Sequence, residues 1–157
     1  MRRYRREVCG LLLVDAMHED QFEVIGAALP PAFDGELSAQ RGFREFWCGG
    51  WRDPDSTPER IDFVSSFREA KEIDSLGELP VHVITAGTGL NSPFQPESIR
   101  PHLQSLWNGL QQRFLWLSPL ATQSFVLTSG HFVQRDAPAA VLSAIQRLIA
   151  RAKGRYF

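Results

Sequence analysis

Among the side chains able to do acid–base or nucleophilic chemistry, His131 has the most specific setting. Imidazole exchanges its proton near neutral pH, so its placement decides whether it acts or only packs. Gln123 to Thr128 is a short apolar run containing Phe125 and Val126 and reads as a strand. Ser129-Gly130 then permits a tight reversal. His131 is thereby expected just past the carboxyl end of a strand, where open α/β sheets place their chemistry. Taken by itself, the residue also fits a turn histidine with a structural hydrogen bond. Cys48, within Trp47-Cys48-Gly49-Gly50, invites a thiol-nucleophile reading, but it falls at a predicted helix end with no strand before it. A structural cysteine is expected there. A serine nucleophile on a strained strand-to-helix turn carries the signature G-x-S-x-G. Ser75 comes nearest but lacks the first glycine and a preceding strand, and Ser129 has Leu127 where that glycine belongs. Cys9 and Cys48 are isolated, with no C-x-x-C or Cys/His cluster, so neither a metal site nor a cofactor is expected.

The elements that must position His131 follow from periodicity. Asp136 suits an N-cap and Pro138 a first helical turn, and Val141, Ile145, Leu148, Ile149 and Ala152 recur at helical spacing behind them. Glu7 to Ala16 is a continuous apolar run that includes Asp15 near its end, as in a parallel strand buried on both faces. Leu79 to Gly87 is a further strand, opened by Pro80, with His82 expected as a packed or edge histidine. Between these two strands, Phe22 to Phe67 carries short helical patterns split by Pro30-Pro31, Asp34-Gly35, Gly49-Gly50 and Asp53-Pro54. Its aromatic residues Phe43, Phe46, Trp47 and Trp51 fit either a wall over a substrate pocket or ordinary packing of small helices. Pro96 to Ser118 reads as one amphipathic helix, with Ile99, Leu103, Leu106, Trp107, Leu110, Phe114 and Leu117 on its stripe. Trp107 and Trp116 are expected to pack or to sit at the boundary. The class predicted is α/β, with parallel strands near residues 8–14, 80–86 and 122–128 and a helical insertion, residues 22–72, between the first two.

Size and charge narrow the function classes. At 157 residues the chain is one domain's worth, and 43% hydrophobic content is enough to bury a core. A net charge of −1 gives no reason to expect nucleic acid or an anionic membrane surface as partner. The basic start Met1 to Arg6 precedes too short an apolar run, and acids follow too closely, for a signal peptide. No stretch is long and apolar enough to cross a membrane. Cysteine usage points to a reducing compartment, and a cytoplasmic location is expected.

The sequence around His131 resembles the carboxyl-terminal end of the α/β-hydrolase family. The family pattern S-G-H-x-x-x-x-D-x-P-x-x-V-x-x-A-I is met by Ser129, Gly130, His131, Asp136, Pro138, Val141, Ala144 and Ile145. Gly10, Leu11, Leu13, Val14, Asp15 and Ala16 match the family phrase G-L-x-L-V-D-A, and His18-Glu19-Asp20-Gln21 is similar to the H-E-D-Q of one hydrolase branch. Without that likeness, Glu19 and Asp20 read as a solvated helix start. The resemblance implies hydrolysis of an ester, amide or similar bond in a small apolar substrate, with His131 as the catalytic histidine and residues 22–72 as a cap. Many members carry the triad acid after a T-A-G strand end. Here Thr85-Ala86-Gly87 is followed by no carboxylate before Glu97. Some members, certain haloalkane dehalogenases among them, place the acid at the end of the preceding strand, and this assigns the role to Asp15. The competing role for Asp15 is a cap on the turn that follows it. The likeness covers about the second half of a hydrolase domain and lacks the nucleophile elbow. It thus implies a truncated or split hydrolase, or one with a misplaced start, inactive by itself. It also implies an open edge on the strand Val8 to Val14, prone to self-association or to complementation by the missing half. A non-catalytic α/β binding or interaction module is the alternative.

Overall fold

The computed structural model describes residues 7–90 and 94–153. In chain order the elements are β1 (Leu11–Val14), α1 (Gln21–Ala28), α2 (Ser38–Cys48), α3 (Phe63–Lys71), β2 (Val81–Ala86), α4 (Arg100–Arg113), β3 (Ala121–Val126), α5 (Val133–Asp136) and α6 (Pro138–Lys153). Short 3-10 turns lie at Gly50–Arg52, Pro54–Ser56, Glu97–Ile99 and Phe114–Leu117. Among the described residues no helix is long and apolar enough to cross a membrane.

The chain divides into two compact units. The first, residues 1–16, 74–89 and 111–157, holds the sheet. Its three strands are parallel in the order β1-β2-β3, with Val14 beside Ile84 and Ala86 beside Val126. This is the predicted α/β class. β2 is buried along its whole length because strands flank it on both sides. Side chains alternate across it. Val81 and Val83 pack with Phe114, Leu11 and Leu13 on one face, while Ile84 and Ala86 pack with Leu12, Val14, Val133 and Ala144 on the other. β1 is shorter than the run that suggested it and only half-buried. It lies at the sheet edge, so one row of its backbone groups has no strand beside it among the described residues.

Two helical expectations need correction. Asp136 does not cap the last helix; it ends α5, and α6 begins at Pro138. Ala137 between them is not helical (φ −143°, ψ 61°), because a residue preceding proline is pushed out of the α region. The buried stripe of α6 is Val141, Ala144, Leu148 and Ala152, while Ile145 and Ile149 stand exposed on its flank with Leu142. The single helix expected over Pro96–Ser118 is instead a 3-10 turn, α4 and a second 3-10 turn. Trp107 is buried, but Trp116 is 79% exposed rather than at the boundary.

The second unit, residues 17–73 and 90–110, contains the segment expected as an insertion. Phe22, 3% exposed, is its centre. Trp51 stacks on that ring at 4.9 Å, and Phe46, Trp47 and Phe63 meet it edge-on. These aromatics are thus packed on one another. α1 and α2 approach closely at Gly26, where a Cβ would lie 2.7 Å from the carbonyl oxygen of Trp47. A second cluster joins Ile25, Leu90, Leu103 and Trp107.

Candidate functional site

Asp15 leaves β1 in the left-handed region, at φ 43°. Aspartate tolerates that conformation better than most residues, and it turns the carboxylate out of the strand's alternation. The backbone still pairs: Asp15 N–H donates to the Ile84 carbonyl at 2.7 Å. The side chain, 0% exposed, then reaches over the end of β2. Its Oδ1 accepts from the Ala86 N–H at 3.0 Å, and its Oδ2 lies 2.9 Å from His131 Nδ1. The contact joins residues 116 positions apart. Such a pair is the arrangement that fixes a histidine's tautomer, with Nδ1 carrying the proton toward the carboxylate.

His131 arrives from the other side of β2. β3 ends at Val126, and a turn closed by Ser129 N–H on the Val126 carbonyl (3.1 Å) carries the chain to Ser129-Gly130-His131. The Asp136 carboxylate, reaching back from α5, accepts from Gly130 N–H at 3.0 Å. That bond, with Arg135 beside it, holds the Asp136 carboxyl below its usual range. The His131 ring remains 47% exposed and meets Phe132 edge-on at 5.2 Å. Its pKa is raised above the ordinary imidazole value, chiefly by the hydrogen bond to Asp15 and against a smaller opposing effect of burial.

The loop after β2 lacks the carboxylate that the T-A-G phrase led one to seek, and its residues serve the pair differently. Ala86, the last residue of β2, supplies the N–H on Asp15. Gly87 lies so close to β3's extension that a Cβ would be 2.3 Å from the Leu127 carbonyl oxygen. Thr88 donates twice to the Ser129 carbonyl, from its N–H (3.0 Å) and its hydroxyl (2.8 Å). At Gly89 a Cβ would stand 3.0 Å from Asp15 Oδ2. The sequence reading missed these roles. The signal for them was the spacing Gly87-Thr88-Gly89 directly after a buried strand.

The other candidates lie elsewhere. Glu97 is exposed and belongs to the second unit, and Asp136 engages Gly130 rather than the ring. Cys48 ends α2 in the second unit, 3.6 Å from the Gly26 carbonyl. Ser75 accepts from Gly77 N–H in a turn. His82 is on the central strand, not an edge, with ring nitrogens 2.8 Å from the Thr122 hydroxyl and 3.0 Å from that of Ser124. Burial, with Arg147 and Arg151 nearby, lowers its pKa. Among the described residues, His18, Glu19 and Asp20 bring ligand atoms within 4.8 Å of one another. There, however, Asp20 is ion-paired to Lys71 at 2.7 Å and His18 Nδ1 accepts from the Asp20 N–H, which suits the start of α1. In comparisons with family models, curated proteins and solved structures, the chain matches none.

Proposed function

We propose that His131 is the general acid–base of a hydrolytic site of the α/β-hydrolase type, with Asp15 as its carboxylate partner, acting on an ester, amide or similar bond in a small apolar substrate. The observation that carries this reading is the 2.9 Å contact between a buried carboxylate at the end of β1 and a half-exposed imidazole beyond β3. Nδ1 faces the carboxylate, so proton transfer runs through Nε2. The ring takes a proton from the attacking group and returns it to the leaving group, while Asp15 stays ionised and stabilises the imidazolium. The same reading makes residues 22–72 a helical cap. In support, the rings packed about Phe22 give that segment a core of its own. No metal or cofactor enters the reaction so written.

The sequence contains no G-x-S-x-G, so the chain as given supplies the pair without a serine nucleophile. The purified chain is therefore expected to hydrolyse short p-nitrophenyl esters no faster than background. The test joins this chain to any polypeptide encoded on the 5′ side of its first codon that carries G-x-S-x-G. Turnover should appear, and His131→Ala and Asp15→Asn should each lower it by about 100-fold or more. Turnover equal in the His131→Ala form would remove the acid–base role. A soluble, folded chain with no such coding sequence upstream would favour a binding module instead.

A further inference from the structure

The His131 ring is about half exposed, so packing by itself does not fix where it points. Its position depends on the turn that carries it, and that turn is anchored from two sides. From α5 the Asp136 carboxylate holds Gly130 N–H. From the loop after β2, Thr88 holds the Ser129 carbonyl with two donors. Ser129 is 1% exposed, so its carbonyl, which has two lone pairs, must find a donor within the protein. Thr88 alone satisfies the two together, and it stands two positions past the Ala86 N–H that holds Asp15.

The flanking glycines single out this side chain. A Cβ at Gly87 would collide with the Leu127 backbone, and one at Gly89 would press on Asp15 Oδ2. Within this triplet, position 88 alone has room for a side chain, and the residue there carries a hydroxyl. The β-branch of threonine restricts χ1, which keeps the hydroxyl aimed at one acceptor. The end of β2 and the loop after it thus serve both members of the pair: the Ala86 N–H holds Asp15, and Thr88 holds the turn that delivers His131.

The geometry points to Thr88 as a positioning residue that holds His131 in register with Asp15. Its N–H and hydroxyl both bond to the Ser129 carbonyl, so it acts through Ser129. The positioning rests on the Asp15–His131 contact, and only its effect on turnover rests on the hydrolase reading above. Removing the hydroxyl while keeping the shape leaves the Thr88 N–H as the one donor from this loop on the Ser129 carbonyl, which loosens that side of the turn and lets the ring leave the carboxylate for part of the time.

The experiment follows the His131 imidazole by NMR titration in the wild type and in Thr88→Val, Thr88→Ala, Thr88→Ser and Asp15→Asn. Asp15→Asn sets the unpaired reference, with the apparent pKa falling toward the ordinary imidazole value. Thr88→Val is expected to shift the pKa part of the way down and to broaden or abolish the low-field Nδ1–H signal. Thr88→Ser, which restores the hydroxyl, is expected to recover both. Should Thr88→Val not fold, Thr88→Ala removes the hydroxyl without added bulk and gives the same readout. A wild-type pKa and an intact Nδ1–H signal in a folded variant lacking the hydroxyl overturn the role of Thr88 while leaving the pair standing. An Asp15→Asn form that titrates like the wild type overturns the pair itself, and the role of Thr88 with it.

Discussion

Gly87→Ala tests the closest backbone approach in the site. The added Cβ would lie 2.3 Å from the Leu127 carbonyl oxygen and 2.4 Å from the Leu127 Cα, and neither atom can swing aside as a side chain would. The two backbones must separate by about 1 Å before the contact becomes ordinary. That separation stretches Gly87 N–H to Val126 O, now 2.9 Å, and Thr88 N–H to Ser129 O, now 3.0 Å, beyond useful length. Overpacking of this kind costs about 1–3 kcal/mol, and each lost hydrogen bond about 1 kcal/mol more, for a loss of about 3–5 kcal/mol. For a chain of this size that corresponds to a fall in Tm of roughly 6–20 °C. Urea and thermal unfolding followed by circular dichroism measure it. A Gly87→Ala chain that loses less than about 1 kcal/mol would refute the claimed approach between the ends of β2 and β3.

Two further outcomes follow from the strand edge and from the Asp15–His131 pair. Because β1 is an apolar strand at the sheet edge, sedimentation velocity should show association that grows with concentration; a single monomeric species across a wide range would refute this. Because His131 titrates above its ordinary value when folded, its pairing stabilises the fold below the unfolded imidazole pKa and ceases to do so as pH rises through the folded one. The urea stability gap between wild type and His131→Gln should therefore be wider at about pH 5.5 than at about pH 9, by less than roughly 1 kcal/mol since the ring is half exposed; an equal gap at both would count against the pairing.

The sheet was legible because its strands are continuous apolar runs, and the run around Val81–Ala86, buried on both faces, was read most accurately at its ends. β1 starts later than its apolar run because hydrophobicity marks what can be buried, while pairing needs a neighbour, and Leu11 is the first residue in register with β2, opposite Val81. The stripe of α6 was misread for a similar reason. Periodicity defines a face only to within a residue: Leu148 and Ala152 face inward as expected, but small Ala144 is buried while the larger Ile145 and Ile149 stand exposed. The pairing of Asp15 with His131 was suggested by likeness to a family, not by spacing, since no local pattern links residues so far apart. The contacts of Thr88 with Ser129 and of Asp136 with Gly130 were invisible for the same reason. In the sequence, Asp136 before Pro138 looked like a helix cap, and only the backward reach of its carboxylate shows that it holds the turn instead.

One relation explains why the loop after β2 carries glycines and no acid. Adjacent strands lie about 4.8 Å apart, so β1 and β3 are separated by roughly 10 Å with β2 between them. A carboxylate at the end of β1 and an imidazole beyond β3 can meet only by crossing the end of β2. Asp15 is in register to do so, one residue past the Val14–Ile84 pair, and its left-handed backbone turns the side chain inward. The crossing needs a path without bulk. Ala86 offers a methyl group and an N–H that the carboxylate uses, and Gly89 leaves the space that Oδ2 occupies. A carboxylate on this loop would set a second negative charge beside a buried first one, at a cost that the existing donors would not offset. The acid on β1 and the small residues after β2 are therefore one choice: placing the acid on the edge strand requires the central strand to end in residues that let it pass.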